Sequence, residues 1–304
     1  MKKCLVWGTG TVFHKYCNVL KYYELNSEIE IACVTSGDSY YSSVRGYGFV
    51  NRDQIDVKAF DRIIVAADSY TAQAICRDIR SAGADDGIIV PINAMLLPGF
   101  DFDKYKLIRE NAPTIICPNC WGGLTYSALG LEFGSPFINM FLDHDDYLEL
   151  LKNLEYYMEC PLVFEEMRND LGTHEYPVAK CGDILLYFNH YYSFEEANSS
   201  WNRRKERINM DNIFVMFYDE SAERIEEFLK LPYERKICFS PYEYNNSDVI
   251  SISYQKYAPD KPLWKIVNDS AAGGLYDAFE LFCNNNKQLA AELKQINVNI
   301  RKSD

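Results

Sequence analysis

The first third of the chain alternates short apolar runs with apolar stripes of helical period. The run CLVW at 4–7 leads directly into Gly8-Thr9-Gly10. Val12, Phe13, Tyr16, Leu20 and Tyr23 then share one helical face. Apolar runs at 29–34, 62–67 and 87–92 predict further strands, with a helix over 69–82 ending at Gly83. Strands alternating with helices predict a parallel sheet covered on both faces. Residues 93–112 read as a connector with a short amphipathic helix, and composition changes near 110.

Beyond that boundary the pattern is less regular. From Ala112 to Leu142 the only charged residue is Glu132. This stretch reads as a short strand at 114–117, a polar turn Pro118-Asn119-Cys120 and an apolar helix opened by Gly122-Gly123. A helix over 145–158 presents Tyr147, Leu148, Leu151 and Leu154 on one face. A strand over 183–189 ends at His190. A helix over 193–208 starts on Ser193 with Glu196 as its capping partner, and buries Phe194, Ala197, Trp201 and Ile208. A strand over 213–218 ends at Asp219, and a helix over 221–230 precedes a strand at 236–239. A closing helix is expected over 277–298. The expected fold class is therefore α/β: a Rossmann-like parallel sheet over 1–110, then a second α/β domain over 111–304.

Charge narrows the function classes. The net charge is −13 over 304 residues. Residues 1–110 carry 13 basic and 14 acidic residues, and the remainder 18 and 30. An acidic second half argues against a nucleic-acid backbone as partner, since that needs a cationic surface, and leaves room for one local cationic pocket for a phosphate or carboxylate. The 23 tyrosines suit half-wet surfaces where a saccharide or protein docks. Ten cysteines without regular spacing, and no secretory leader, point to a reducing compartment, so a cytoplasmic location is expected. Prolines, paired glycines and Asn119 interrupt the uncharged stretch, so no membrane span is expected.

Two turns could carry chemistry. In the strand–GxG–helix opening, Gly8 allows a tight turn and Gly10 lets a phosphate approach a helix N-terminus, which marks both as cofactor-binding candidates. The dinucleotide fingerprint is incomplete: Phe13 stands at its third glycine, and the second strand ends in Val34-Thr35-Ser36 without an acid for a ribose.

The other turn is Cys117-Pro118-Asn119-Cys120, a CxxC at a strand-to-helix junction, open to three readings. Zinc would need Cys160, Cys181 or scattered histidines to complete its ligands. A redox dithiol fits the junction but lacks the flanking βαβ order. In the third reading Cys120 is a nucleophile with His190 as base and Asp219 as the acid orienting the imidazole. Asn119, Trp121, Gly122 and Gly123 would line the substrate, with backbone N–H groups there serving an oxyanion. Downstream, Trp201 and the cations Arg203, Arg204, Lys205 and Arg207 sit within one helical stretch, and Arg203 and Arg204 suit a phosphate clamp. The remaining histidines carry less: His14 falls inside the first helix, His174 in an exposed loop, and His144 in a D-H-D-D run read as a solvated turn or a cation site.

Asn119-Cys120-Trp121-Gly122-Gly123, Ser135-Pro136, Tyr176-Pro177-Val178 and His190-Tyr191 together resemble an uncharacterised bacterial family. So does the run from Ser193 to Ala197 with Trp201, Arg203-Arg204-Lys205 and Arg207. The family is a domain of unknown function loosely linked to exopolysaccharide biosynthesis. The resemblance covers about 113–245, and the first 110 residues resemble the Rossmann-like extension some members carry. It implies a place in surface polysaccharide assembly and supplies no reaction of its own. Joined to the Cys120 and His190 reading, the expected activity is sugar- or acyl-group transfer, with a nucleotide-sugar or acyl-CoA donor, a saccharide or small-molecule substrate, and a homo-oligomer or biosynthetic complex as setting. The alternative it leaves is a non-catalytic nucleotide-sugar-binding or scaffold protein.

Overall fold

The structure is a computed structural model that describes residues 1–37, 42–172, 174–252, 260–271, 273 and 275–283. The chain divides into two compact units, Met1–Glu110 with Ala128–Gly130, and the remainder.

In the first unit, β1 (Lys2–Trp7), β2 (Ile29–Thr35), β5 (Arg62–Val65) and β6 (Ile89–Pro91) form one parallel sheet in the order β2-β1-β5-β6. A small antiparallel pair, β3 (Ser43–Val44) and β4 (Tyr47–Gly48), interrupts the run from β2 to β5. The strand order reverses between β1 and β5, which opens a crevice at their carboxyl ends. Helix α1 (Thr11–Leu25) follows β1 and buries Phe13, Cys17, Leu20 and Tyr23. Helix α2 (Ser69–Ser81) is started by Asp68, whose carboxylate accepts the N–H groups of Tyr70 and Thr71. Leu5, Trp7, Val57, Ile63, Ile79 and Ile89 pack as one core. Helix α3 (Phe102–Glu110) ends the unit; its buried Arg109 pairs with Asp86 at 3.0 Å and reaches the Tyr105 hydroxyl at 3.2 Å.

The second unit holds two sheets. Strands β7 (Thr114–Ile116), β11 (Ile213–Tyr218), β12 (Lys236–Ser240) and β13 (Val249–Ser251) are parallel, in the order β13-β12-β11-β7. Strands β8 (Leu162–Arg168), β9 (Tyr176–Cys181) and β10 (Ile184–Tyr187) form an antiparallel sheet. Helix α4 (Trp121–Leu129) follows β7, and α5 (His144–Lys152) lies against the parallel sheet. Tyr147 of α5 pins that packing, because its hydroxyl donates to the carbonyls of Ile116 on β7 and Met216 on β11, each at 2.8 Å.

The expected helix over 145–158 is two helices, α5 and α6 (Leu154–Glu159), since Asn153 leaves helical geometry at φ −136°, ψ 46°. Helix α7 (Phe194–Lys205) keeps the expected cap: Ser193 Oγ accepts the Glu196 N–H at 3.2 Å. Helix α8 (Ala222–Lys230) is capped likewise by Ser221. Of the closing helix expected over 277–298, Ala278–Cys283 is helical and the rest lies outside the described residues. Strands β8 and β9 escaped the sequence pattern. The first is solvated and carries Glu165-Glu166 with no apolar alternation, and the second holds Pro177, which argues against a strand. Among the described residues no helix is long and apolar enough to cross a membrane.

Candidate active site

Parallel strands place whatever follows them on one edge of the sheet. After β7 come Cys117 to Cys120; β11 closes on Tyr218 and is followed by Asp219. Register pairs Ile116 with Val215, so the two turns are neighbours.

The β7–α4 turn is braced from inside. Cys117 Sγ is buried, accepts the Gly122 N–H at 3.2 Å and donates to the Asn119 carbonyl at 3.1 Å. Burial pushes its thiol up to about 12, so Cys117 acts as a buried strut. Asn119 Oδ1 accepts the Trp121 N–H at 3.0 Å. Gly122 is required for space: a Cβ there would stand 2.8 Å from Cys117 Sγ. Cys120 itself closes the turn, its carbonyl accepting the Leu124 N–H at 3.0 Å.

Cys120 is half-buried, and its Sγ lies 3.3 Å from His190 Nε2. The structure brings together two residues 70 positions apart, within the looser hydrogen-bond range of sulfur. His190 is exposed, and its position is set by its neighbour. The Tyr191 hydroxyl donates to the Ile138 carbonyl at 3.4 Å and takes a 2.6 Å bond from Arg204 Nη1. Burial raises the Cys120 thiol above its ordinary value. Although His190 keeps part of its surface exposed, partial desolvation of its ring, then the nearby His174 imidazole, lowers it. Both shifts favour a neutral thiol–imidazole pair over a thiolate–imidazolium pair. Such a pair keeps its proton on sulfur at rest.

Asp219 does something other than orient His190. Its Oδ2 lies 2.6 Å from His144 Nδ1 and 2.6 Å from Arg224 Nε, while Oδ1 accepts the Ser221 N–H at 2.7 Å. Burial opposes its ionisation, but these three donors outweigh it and hold the carboxyl well below the usual carboxylate range. The acid that ends β11 faces the first residue of α5, and it serves His144. Tyr218 stands between the two pairs. Its ring meets the His144 ring edge-on at a centroid distance of 4.7 Å. Its phenol is pushed up, first by burial and then by the charges of Cys117, Asp219 and Cys120.

Other expected site residues turn out to be framework. Trp121 is fully buried and stacks on Phe214 at 6.2 Å. Trp201 is buried edge-on to Phe137 at 5.2 Å. Arg204 is buried with its guanidinium 5.3 Å over the Phe133 ring and bonded to Tyr191 and the Ile138 carbonyl, so it cannot clamp a phosphate. Arg203, one residue earlier on α7, is exposed. Gly122 spends its N–H on Cys117, Trp121 spends its own on Asn119, and Gly123 packs against Ile138. The oxyanion donors expected at Trp121 and Gly122 are thus already engaged. Sequence reasoning read His144 as a solvated turn or a cation site and passed over Tyr218. Their signals were faint but present: an imidazole between acids at a helix start, and an aromatic directly before a strand-end aspartate.

In the first unit, Gly8 and Gly10 line a cleft of about 370 Å³ with Thr9, Thr11, Ser36, Arg52, Asp68 and Thr71 among its walls. Gly8 has φ +112°, and a Cβ there would meet the Ala66 carbonyl oxygen at 2.4 Å. Gly10 has nothing within 4 Å of such a Cβ and no side chain caps α1, so that helix start opens into the cleft. Thr9 Oγ1 donates to Ser36 Oγ at 3.0 Å. Among the described residues no group of three or more His, Cys, Asp or Glu is placed to hold a metal ion.

Residues 92–283 match the family described as Domain of unknown function (DUF1919), which covers more than half of the chain, and the chain belongs to that family. Residues 1–90 match the profile described as C2185-like, N-terminal. An uncharacterized protein of Haemophilus influenzae is 35% identical over 142 residues, 46% of this chain and 66% of that protein. The chain thus spans slightly less than two thirds of that relative. A crystal structure of aspartate semialdehyde dehydrogenase II from Vibrio cholerae is similar over 71% of this chain and 68% of its own, at 12% identity and a TM-score of 0.25, too low to support any argument.

Proposed function

We propose that the second unit carries a cysteine–histidine group-transfer site, working on a sugar or acyl group in surface polysaccharide assembly. The observation that supports it is the 3.3 Å approach of Cys120 Sγ to His190 Nε2, at the edge where the parallel strands end. A thiol meeting a neutral imidazole can pass its proton on as sulfur attacks an electrophilic carbon. The imidazolium then protonates the leaving group, and the carbon stays on sulfur until an acceptor takes it. A donor activated by phosphate or thioester, such as a nucleotide-sugar or acyl-CoA, fits that chemistry. The place in polysaccharide assembly rests on the sequence resemblance alone.

The test is to incubate the purified protein with acetyl-CoA and with nucleotide-sugars and to read its intact mass. A mass increase mapped to Cys120, absent in Cys120→Ser and formed about 10²-fold more slowly in His190→Ala, is the expected result. Equal behaviour of all three proteins sinks the mechanism.

A second reading is favoured by the cleft of the first unit: a non-catalytic nucleotide-sugar-binding or scaffold protein. Its open helix start and flanking hydroxyls offer backbone N–H groups to a diphosphate. This reading expects a nucleoside diphosphate sugar to raise the melting temperature while Cys120 stays unmodified.

A further inference from the structure

We infer that His144, held by Asp219, is a second base of the same site, activating the acceptor hydroxyl that removes the group from Cys120. The inference rests on the group-transfer reading above and assigns the second half of its cycle.

Three observations carry it. First, Asp219 is 3% exposed, and its short contact to His144 engages Nδ1. An aspartate on Nδ1 fixes the tautomer that leaves Nε2 with a free lone pair, the form a base needs. Second, the His144 side chain keeps 22% of its surface exposed, so the imidazole is reachable while its acid is not. Third, the dyad stands on the sheet edge that carries the thiol. His144 packs on Tyr218, and Tyr218 and Asp219 close the strand paired with the one leading into Cys120. A purely structural ion pair would be complete with Arg224, which already bonds Asp219 through Nε and Nη2. Adding an imidazole at 2.6 Å gives the carboxylate a second task.

The division of labour balances. In the first step the Cys120 proton passes to His190, a carbon–sulfur bond forms, and the leaving group departs with that proton. In the second, an acceptor O–H gives its proton to His144 Nε2 as the oxygen attacks the same carbon. The carbon–sulfur bond breaks, the thiolate takes a proton from solvent, and His144 returns its own to solvent. His190 serves loading and His144 serves release.

The experiment uses the full chain with p-nitrophenyl acetate as donor and water or glycerol as acceptor. Acetyl-Cys120 is followed by intact mass as it forms and decays. In His144→Gln the adduct is expected to form at the wild-type rate and to persist about 10²-fold longer. Asp219→Asn should lengthen it less, and free imidazole should restore release in His144→Ala, a rescue that lost packing would not give. Unfolding midpoints of the variants separate misfolding from lost chemistry, and the imidazole rescue keeps the test decisive if His144→Gln is unstable. Wild-type loading with unchanged release in His144→Gln and no imidazole rescue overturns this inference alone. No acetylation of wild-type Cys120 beyond that of a free thiol overturns the group-transfer reading and this inference with it.

Discussion

Two four-stranded parallel sheets in one chain each place a candidate site at their carboxyl ends, and they build it from different materials. In the first unit the cleft is walled by backbone and hydroxyls: the Gly8–Gly10 turn, Thr9, Thr11, Ser36 and Thr71, with the nearby Asp68 carboxylate spent on capping α2. In the second, the edge holds a thiol, two imidazoles, a phenol and a buried carboxylate. Backbone N–H groups and hydroxyls can hold an anion but do not exchange protons near neutral pH. A thiol and imidazoles can. The same architecture thus presents anion-compatible groups in one unit and proton-exchanging groups in the other.

The sharpest way to break the contrast is at Gly8. Alanine there would meet a backbone oxygen at 2.4 Å from a positive φ, so Gly8→Ala should cost about 3–5 kcal/mol in urea unfolding of the first unit. A loss below about 1 kcal/mol would mean that the turn adapts and the cleft is not backbone-built.

Next comes Asp219, whose folded-state ionisation is favoured. A depressed carboxyl contributes stability above its unfolded value near 3.9 and loses it as pH falls through the lower folded value. Asp219→Asn should therefore be about 2–3 kcal/mol less stable at pH 7, and the gap should close in acid. A gap that does not change with pH would show that its ionised form is not what the fold uses.

A smaller effect concerns the thiol. Because burial raises Cys120, its alkylation by iodoacetamide should keep climbing above pH about 8.5, the ordinary thiol midpoint. A plateau already reached at pH 7 would reveal a standing thiolate instead of the neutral pair.

The smallest is Gly10→Ala, for which nothing lies within 4 Å. Stability should change by less than about 0.5 kcal/mol, while any anion affinity of the cleft falls. Equal affinity in both proteins would remove the helix start from the site.

How much of this the sequence showed depended on how local the cause was. The GxG turn, the Ser193 cap and the strand ending at Asp219 were legible because each is set by its own few residues. Cys120 and His190 were legible as chemistry, a thiol at a helix start and an imidazole after a strand, though only the fold sets them 3.3 Å apart. Trp121, Trp201 and Arg204 were misassigned because aromatic and cationic types suit a site and a core equally. What decides is burial against Phe214, Phe137 and Phe133, residues distant in sequence from Trp121, Trp201 and Arg204 respectively. Asp219 went to the wrong histidine for the same reason. Nothing along the chain says that the end of β11 faces the start of α5.

The sheet order has a consequence in time. Strand β7, which leads into Cys120, pairs with β11, beginning at Ile213, and that partner is made roughly 100 residues later. At about 5–20 residues per second, the ribosome needs on the order of 5–20 s to supply it. For that interval the nearly uncharged stretch from Ala112 to Leu142 is out of the tunnel, or leaving it, without its sheet. The segment that carries Cys120 is therefore the one a nascent-chain chaperone would be expected to hold, and slowing synthesis between 142 and 213 should lower the folded yield before any other part of the chain suffers.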